Sequence, residues 1–143
     1  PSVSQLAPRA QLFALDLARA MLQVARPRSP QACFIQGDAQ ALPLPAHHFD
    51  LIFCHNSFPH FDDPARALGE IRRALHPLGR LLILHNLPRA RVNSIHAQAG
   101  APIQQHQIPP DAALAQLLHE AGYTAVQVDD TDEHFVARAQ ASA

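Results

Sequence analysis

The chain has 143 residues, 48% of them apolar, which is enough for one domain with a core of its own. Eleven basic residues against twelve acidic ones leave a formal charge of −1, and without a basic cluster nucleic acid is not an expected partner. No run of ~18 apolar residues and no signal-peptide pattern occurs, so no membrane span is expected and the chain reads as cytoplasmic.

Val3, Leu6 and Ala7 are spaced like the end of a helix. Residues 11–15 form a short apolar run closed by Asp16, and residues 17–26 then read as a helix with Met21, Leu22 and Ala25 on one face. Pro27, Ser29 and Pro30 break that helix before a second apolar run, Cys33–Gln36. After the LPLP loop at 42–45, further apolar runs span 49–54 and 80–84. None of these alternates polar with apolar, so each is expected as a strand buried on both faces, with Cys33 and Cys54 as free core thiols. Between the last two runs lies an amphipathic helix. Asp62 and Asp63 offer caps, Pro64 suits the first helical position, and Leu68, Ile71 and Leu75 share a stripe. Arg72, Arg73 and His76 complement its dipole, and Pro77 with Gly79 is expected to stop it.

Strand, helix, strand with buried strands is a βαβ unit of a parallel sheet, and such sheets bind ligands beyond the carboxyl ends of their strands. Those ends are Gly37-Asp38-Ala39, His55-Asn56-Ser57 and His85-Asn86. Residues 87–110 form a long polar connection with a helix expected over Arg89–Gln98, Val92 and Ile95 on one side, and a connection of that length is a candidate substrate lid. Residues 111–121 read as a helix with Leu114, Leu117 and Leu118 inward. Strands at 124–128 and 134–138 flank an acidic turn and must pair as an antiparallel hairpin.

With this pattern laid out, FALDLARAML, GDAQALPLPAHHFDLIFCHNSFPHF and HPLGRLLIL together resemble the class I S-adenosylmethionine-dependent methyltransferases, the ubiquinone/menaquinone-biosynthesis type in particular. The resemblance covers residues 12–84 closely and the rest in topology. It implies an α/β fold with a Rossmann-like, mostly parallel sheet and a C-terminal antiparallel hairpin, all in one domain over 1–143. It implies S-adenosylmethionine as cofactor and methyl transfer to a small-molecule acceptor. The family's central first strand and Gly-rich turn would precede Pro1, so the sheet is expected to show a gap between the 11–15 and 49–54 strands. The chain is accordingly read as a fragment, or as one whose missing strand comes from a partner such as a second copy in a homodimer. Leu78-Gly79 stands where the family usually has two glycines, a departure read as neutral.

Asp16 can accept two ribose hydroxyls, or cap a helix. Leu17 and Met21 would give apolar surface near the adenine. Asp38 can take the adenine amino proton while the Ala39 amide donates, or it can simply sit in a turn. His55 and Asn56 end a strand where cofactor and substrate would meet. Of the ten histidines, His60 and His85 are the candidate general bases, since each follows a strand end and titrates near neutral pH. No metal-ligand spacing such as HxH, HExxH or CxxC occurs, so no metal site is expected. Two further readings are a non-catalytic module of the same fold that binds a partner through an open sheet edge and, behind it, a histidine-based metal-binding domain.

Overall fold

The structure, a computed structural model, describes residues 10–143. The helix end expected at Val3, Leu6 and Ala7 lies outside them. The chain divides into two compact units, one ending at Pro43 and the other running Leu44–Ala143.

In the first unit β1 (Phe13–Asp16) and β2 (Cys33–Gln36) pair in parallel, with Phe13 opposite Cys33 and Asp16 opposite Gln36. The crossover between them is α1 (Arg19–Ala25), which runs into a 3-10 turn at Arg26–Arg28. Arg26 lays its guanidinium over the Phe34 ring, and Leu22 and Leu42 are buried. Leu17, Met21 and Val24 form an open apolar stripe. Cys33 is exposed, not the core thiol expected. Its register partner Phe13 is also open, because residues opposite one another share a face of the sheet and among the described residues none buries these two.

The second unit begins with β3 (Phe49–His55), α2 (Pro64–Ala74) and β4 (Leu75–His85). It continues with α3 (Arg89–Gln98), α4 (Asp111–Glu120), β5 (Tyr123–Asp130) and β6 (Phe135–Ala141). The strands lie in the order β3-β4-β6-β5. β3 and β4 are parallel, while β6 runs antiparallel to both β4 and β5, the hairpin expected. The expected α/β architecture is present, with parallel pairs carried by helical crossovers. Among the described residues no ladder joins β1–β2 to the four-stranded sheet.

α2 starts as the residues dictate: the Asp63 carboxylate accepts from the Arg66 N–H at 3.0 Å and Pro64 takes the first position. Its Leu68 and Ile71 stripe is buried, and the Tyr123 hydroxyl donates to the Leu68 carbonyl. The helix ends at Ala74, earlier than Pro77 and Gly79 suggested; both of those lie inside β4. Arg72 does more than complement the dipole. It donates to the Gly122 and Ser142 carbonyls, tying α2 to the start and end of the hairpin. The acidic turn is also shorter than expected, with Asp129 and Asp130 already in β5.

Burial on both faces is not what β3 shows. Leu51 is 49% and Phe53 41% exposed, whereas Cys54 is buried. β3 ends the strand order, and among the described residues it pairs only with β4. Burial raises the Cys54 thiol to about 12, a bond with Ser57 offsetting it only in part, so this thiol is inert at neutral pH.

Candidate functional site

β3 and β4 end side by side, His55 opposite Leu84. Beyond His55 the chain turns at Asn56, whose φ of 52° lies in the left-handed region that asparagine tolerates. The Asn56 N–H donates to the Leu84 carbonyl at 2.9 Å, and its side-chain oxygen accepts from the Asn86 N–H at 3.3 Å. His55 Nε2 sits 3.1 Å from Asn86 Oδ1 and 3.3 Å from Asn56 Nδ2. One ring nitrogen donates to the first or accepts from the second, never both. The three side chains therefore lock the two strand ends into a single polar lip.

A short 3-10 turn, Phe58–His60, follows; buried Phe58 and Pro59 anchor it and leave His60 exposed. On the β4 side the chain enters α3 at Pro88. Arg89 pins the helix start: its N–H donates to Asp130 Oδ1, its guanidinium pairs with Asp111 and Asp130, and it lies over the Phe135 ring. The long connection is stapled rather than loose. Asn93 exchanges two hydrogen bonds with the Ile108 backbone at 3.0 and 2.8 Å, and the His96 ring bonds the His106 carbonyl.

These elements enclose a cavity of about 220 Å³ lined by Asn56, His60, His85, Asn86, Leu87, Val92, Ile95 and His96. His85, the last residue of β4, is only 3% exposed, and its Nε2 is buried without a hydrogen-bond partner among the described residues. An orphaned buried nitrogen costs about 1–3 kcal/mol, so it marks a place that a hydrogen-bonding group of a ligand would satisfy. Burial first, then His60, His55 and His96, push His85 down to about 4. His60 is also held below its ordinary value, by burial first and then by His96 and His106. Both rings are uncharged at neutral pH.

Two of the sequence candidates, His60 and His85, thus share one pocket with Asn56, and His55 holds its rim. Asp16, Leu17, Met21, Asp38 and Ala39 belong to the first unit. Asp16 ends β1, and its Oδ1 accepts from the Ala18 N–H at 2.7 Å. Asp38, two residues past β2, accepts from the Gln40 N–H at 2.8 Å across the tight turn that holds Ala39. In both carboxylates Oδ2 has no hydrogen bond among the described residues. Leu17 is 68% exposed and Met21 is open beside it. Asn86, one of the polar strand ends where the sequence placed the site, lines the pocket; Leu87 and His96 were passed over as pocket residues, and Val92 and Ile95, three apart on the 89–98 helix, were the signal for the lid's contribution. Among the described residues no group of histidine, cysteine and acidic side chains could hold a metal ion, and no helix is long and apolar enough to cross a membrane.

The methyltransferase-domain family model matches residues 2–83. Demethylmenaquinone methyltransferase of Thermotoga maritima is 42% identical over 82 residues, covering 57% of this chain and 36% of that protein. Malonyl-[acyl-carrier protein] O-methyltransferase of Methylococcus capsulatus is 42% identical over 77 residues, covering 52% of this chain and 28% of that protein. These matches span less than half of the curated relatives' length. In fold the chain is similar to a SAM-dependent methyltransferase from Aquifex aeolicus, with a TM-score of 0.73 at 18% identity over 94% of this chain and 71% of that one. Human N-acetylserotonin methyltransferase, solved in complex with SAM, gives 0.72 at 18% identity over 98% of this chain and 43% of that one. A family model that matches more than half of the residues, and a fold shared along nearly their whole length, place this chain in the methyltransferase-domain family.

Proposed function

We propose that this chain serves S-adenosylmethionine-dependent methyl transfer to a small-molecule acceptor, in the cytoplasm, with the acceptor seated in the histidine pocket. The observation that carries the reading is the buried, unpartnered His85 Nε2 at the carboxyl ends of parallel strands. The residues present suit the adenosine part of the cofactor. Asp16 and Asp38 follow adjacent parallel strands, and each keeps one carboxylate oxygen for ribose hydroxyls or the adenine amine, beside exposed Leu17 and Met21. When bound, the cofactor supplies an electrophilic methyl group.

His85 accepts a hydrogen bond from a polar hydrogen of the acceptor other than the one that the reacting atom loses, and so orients the acceptor, a positioning effect. Burial disfavours a charge on that ring. Keeping the proton therefore falls to His60, which faces solvent. Leu87, Val92 and Ile95 supply the apolar wall, and α3 with the stapled connection acts as lid.

Calorimetric titration with S-adenosylhomocysteine tests the reading. Binding that Asp16→Ala and Asp38→Ala each weaken ~10-fold or more, close to the value of a charge-assisted hydrogen bond, supports it. Absence of binding favours the second reading, a non-catalytic module. The observation behind that reading is exposed Leu51 and Phe53 on β3, a strand that would accept another from a second copy or a different protein.

A further inference from the structure

His106 lies outside the pocket lining, on the stretch after α3, yet its Nδ1 stands 3.1 Å from His60 Nδ1. The two rings meet edge to face with centroids 5.3 Å apart, and His96 comes within 4.9 Å of His60 from the α3 side. His106 is itself fixed, since its carbonyl is bonded to the His96 ring and Ile108, two residues on, is bound to Asn93. We propose that His106 is a positioning residue for His60: its Nδ1 engages the His60 Nδ1, leaves Nε2 as the nitrogen offered to the pocket, and selects the tautomer in which that Nε2 is bare.

The argument is one of hydrogen counting. An Nδ1···Nδ1 bond needs one hydrogen, so one ring donates and the other accepts. With His60 donating, its Nε2 has no hydrogen and can take one. When the acceptor's X–H bond breaks, the proton forms a new bond to His60 Nε2 and the electron pair stays on X. The His60 ring is then cationic, and its Nδ1–H donation to His106 becomes charge-assisted and stronger. Were His106 the donor, His60 would present an N–H and could take no proton there. The titratable groups that bear on His60 are His96 from α3, His106 from the connection and, across the pocket, His85 from β4. Two protonated rings cannot share the bond, in keeping with the lowered His60 value.

This role rests on the reading of His60 as the proton-holding base, but its test needs neither cofactor nor acceptor. Long-range ¹H–¹⁵N spectra of the histidine rings give the tautomer and pKa of His60 in the wild type, His106→Ala and His106→Asn. The wild type should show His60 mainly as the Nδ1–H form. His106→Ala should shift it toward the Nε2–H form, with the tautomer ratio changing about threefold or more. His106→Asn keeps an acceptor near the Nδ1 position but cannot titrate, so it should retain the wild-type tautomer while the His60 pKa rises toward its ordinary value. Should the alanine chain fail to fold, the wild-type tautomer together with the His60 pKa of His106→Asn decides the matter. An Nε2–H ring in the wild type, or a His60 tautomer and pKa indifferent to either substitution, overturns the proposal. A chain that binds no S-adenosylhomocysteine yet gives the expected spectra would sink the methyl-transfer reading and leave His106's control of His60 standing.

Discussion

His85 ends a strand in the core, its ring edge-on to Phe135 with centroids 6.2 Å apart. Its folded pKa of about 4 lies below the ordinary 6.5. Between those values the unfolded chain binds a proton that the folded chain refuses, so stability rises with pH in this window. The contribution is complete above pH 6.5 and is lost as pH falls toward 4. A shift of this size corresponds to at most ~3 kcal/mol, less what solvent reaching the ring takes away. His85→Gln cannot titrate, so urea unfolding at about pH 7 and pH 4.5 should show a smaller acid loss than in the wild type. Parallel losses in the two proteins would remove His85 as the cause. His85 and His60 were legible as candidates because strand ends are visible in a sequence. His96 and His106 were not, because only the fold of residues 87–110 brings them against His60.

At the scale of elements, legibility followed local chemistry. α2 could be placed at its start because Asp63 and Pro64 specify a beginning whatever surrounds them, and α3 was found to the residue. The end of α2 was misplaced because Pro77 and Gly79 look like helix stops, while β4 absorbs both through a shifted register between Phe49 and Leu51. That irregular stretch puts Leu78 at φ 64° with its side chain open to solvent. The left-handed region costs a branched residue roughly 1–2 kcal/mol, and glycine escapes it at some cost in unfolded-state entropy. The Leu-Gly pair, read as neutral in the sequence, is therefore strained. Leu78→Gly should stabilise by about 0.5–1 kcal/mol in chemical denaturation. Gly79→Ala should destabilise by more than that, since its Cβ would lie 2.8 Å from the His76 carbonyl and 3.1 Å from that of Phe49. Equal stability in the Leu78→Gly protein would mean the turn relaxes without strain.

The molecule as a whole distributes its core unevenly. Among the described residues of the first unit only Leu22 and Leu42 are buried apolar side chains, whereas the second unit buries Leu68, Ile71, Leu81, Ile83, Leu114, Leu118 and Phe135 among others. A two-stranded sheet is marginal by itself, so β1 and β2 should open at lower free energy than β4 and β6, the inner strands of their sheet. The acids assigned to the cofactor, Asp16 and Asp38, follow those weaker strands, so a ligand held there should order them. Native-state hydrogen exchange should then show β1–β2 amides exchanging well before those of β4 and β6. Saturating S-adenosylhomocysteine should slow the former strongly, by up to about 100-fold at 100 times the dissociation constant. If β1–β2 amides already exchange only through global unfolding in the free chain, the two units form one cooperative structure and the uneven core carries no functional consequence. If they exchange early but ignore the ligand, the carboxylates at their ends are turn residues and the cofactor is held elsewhere.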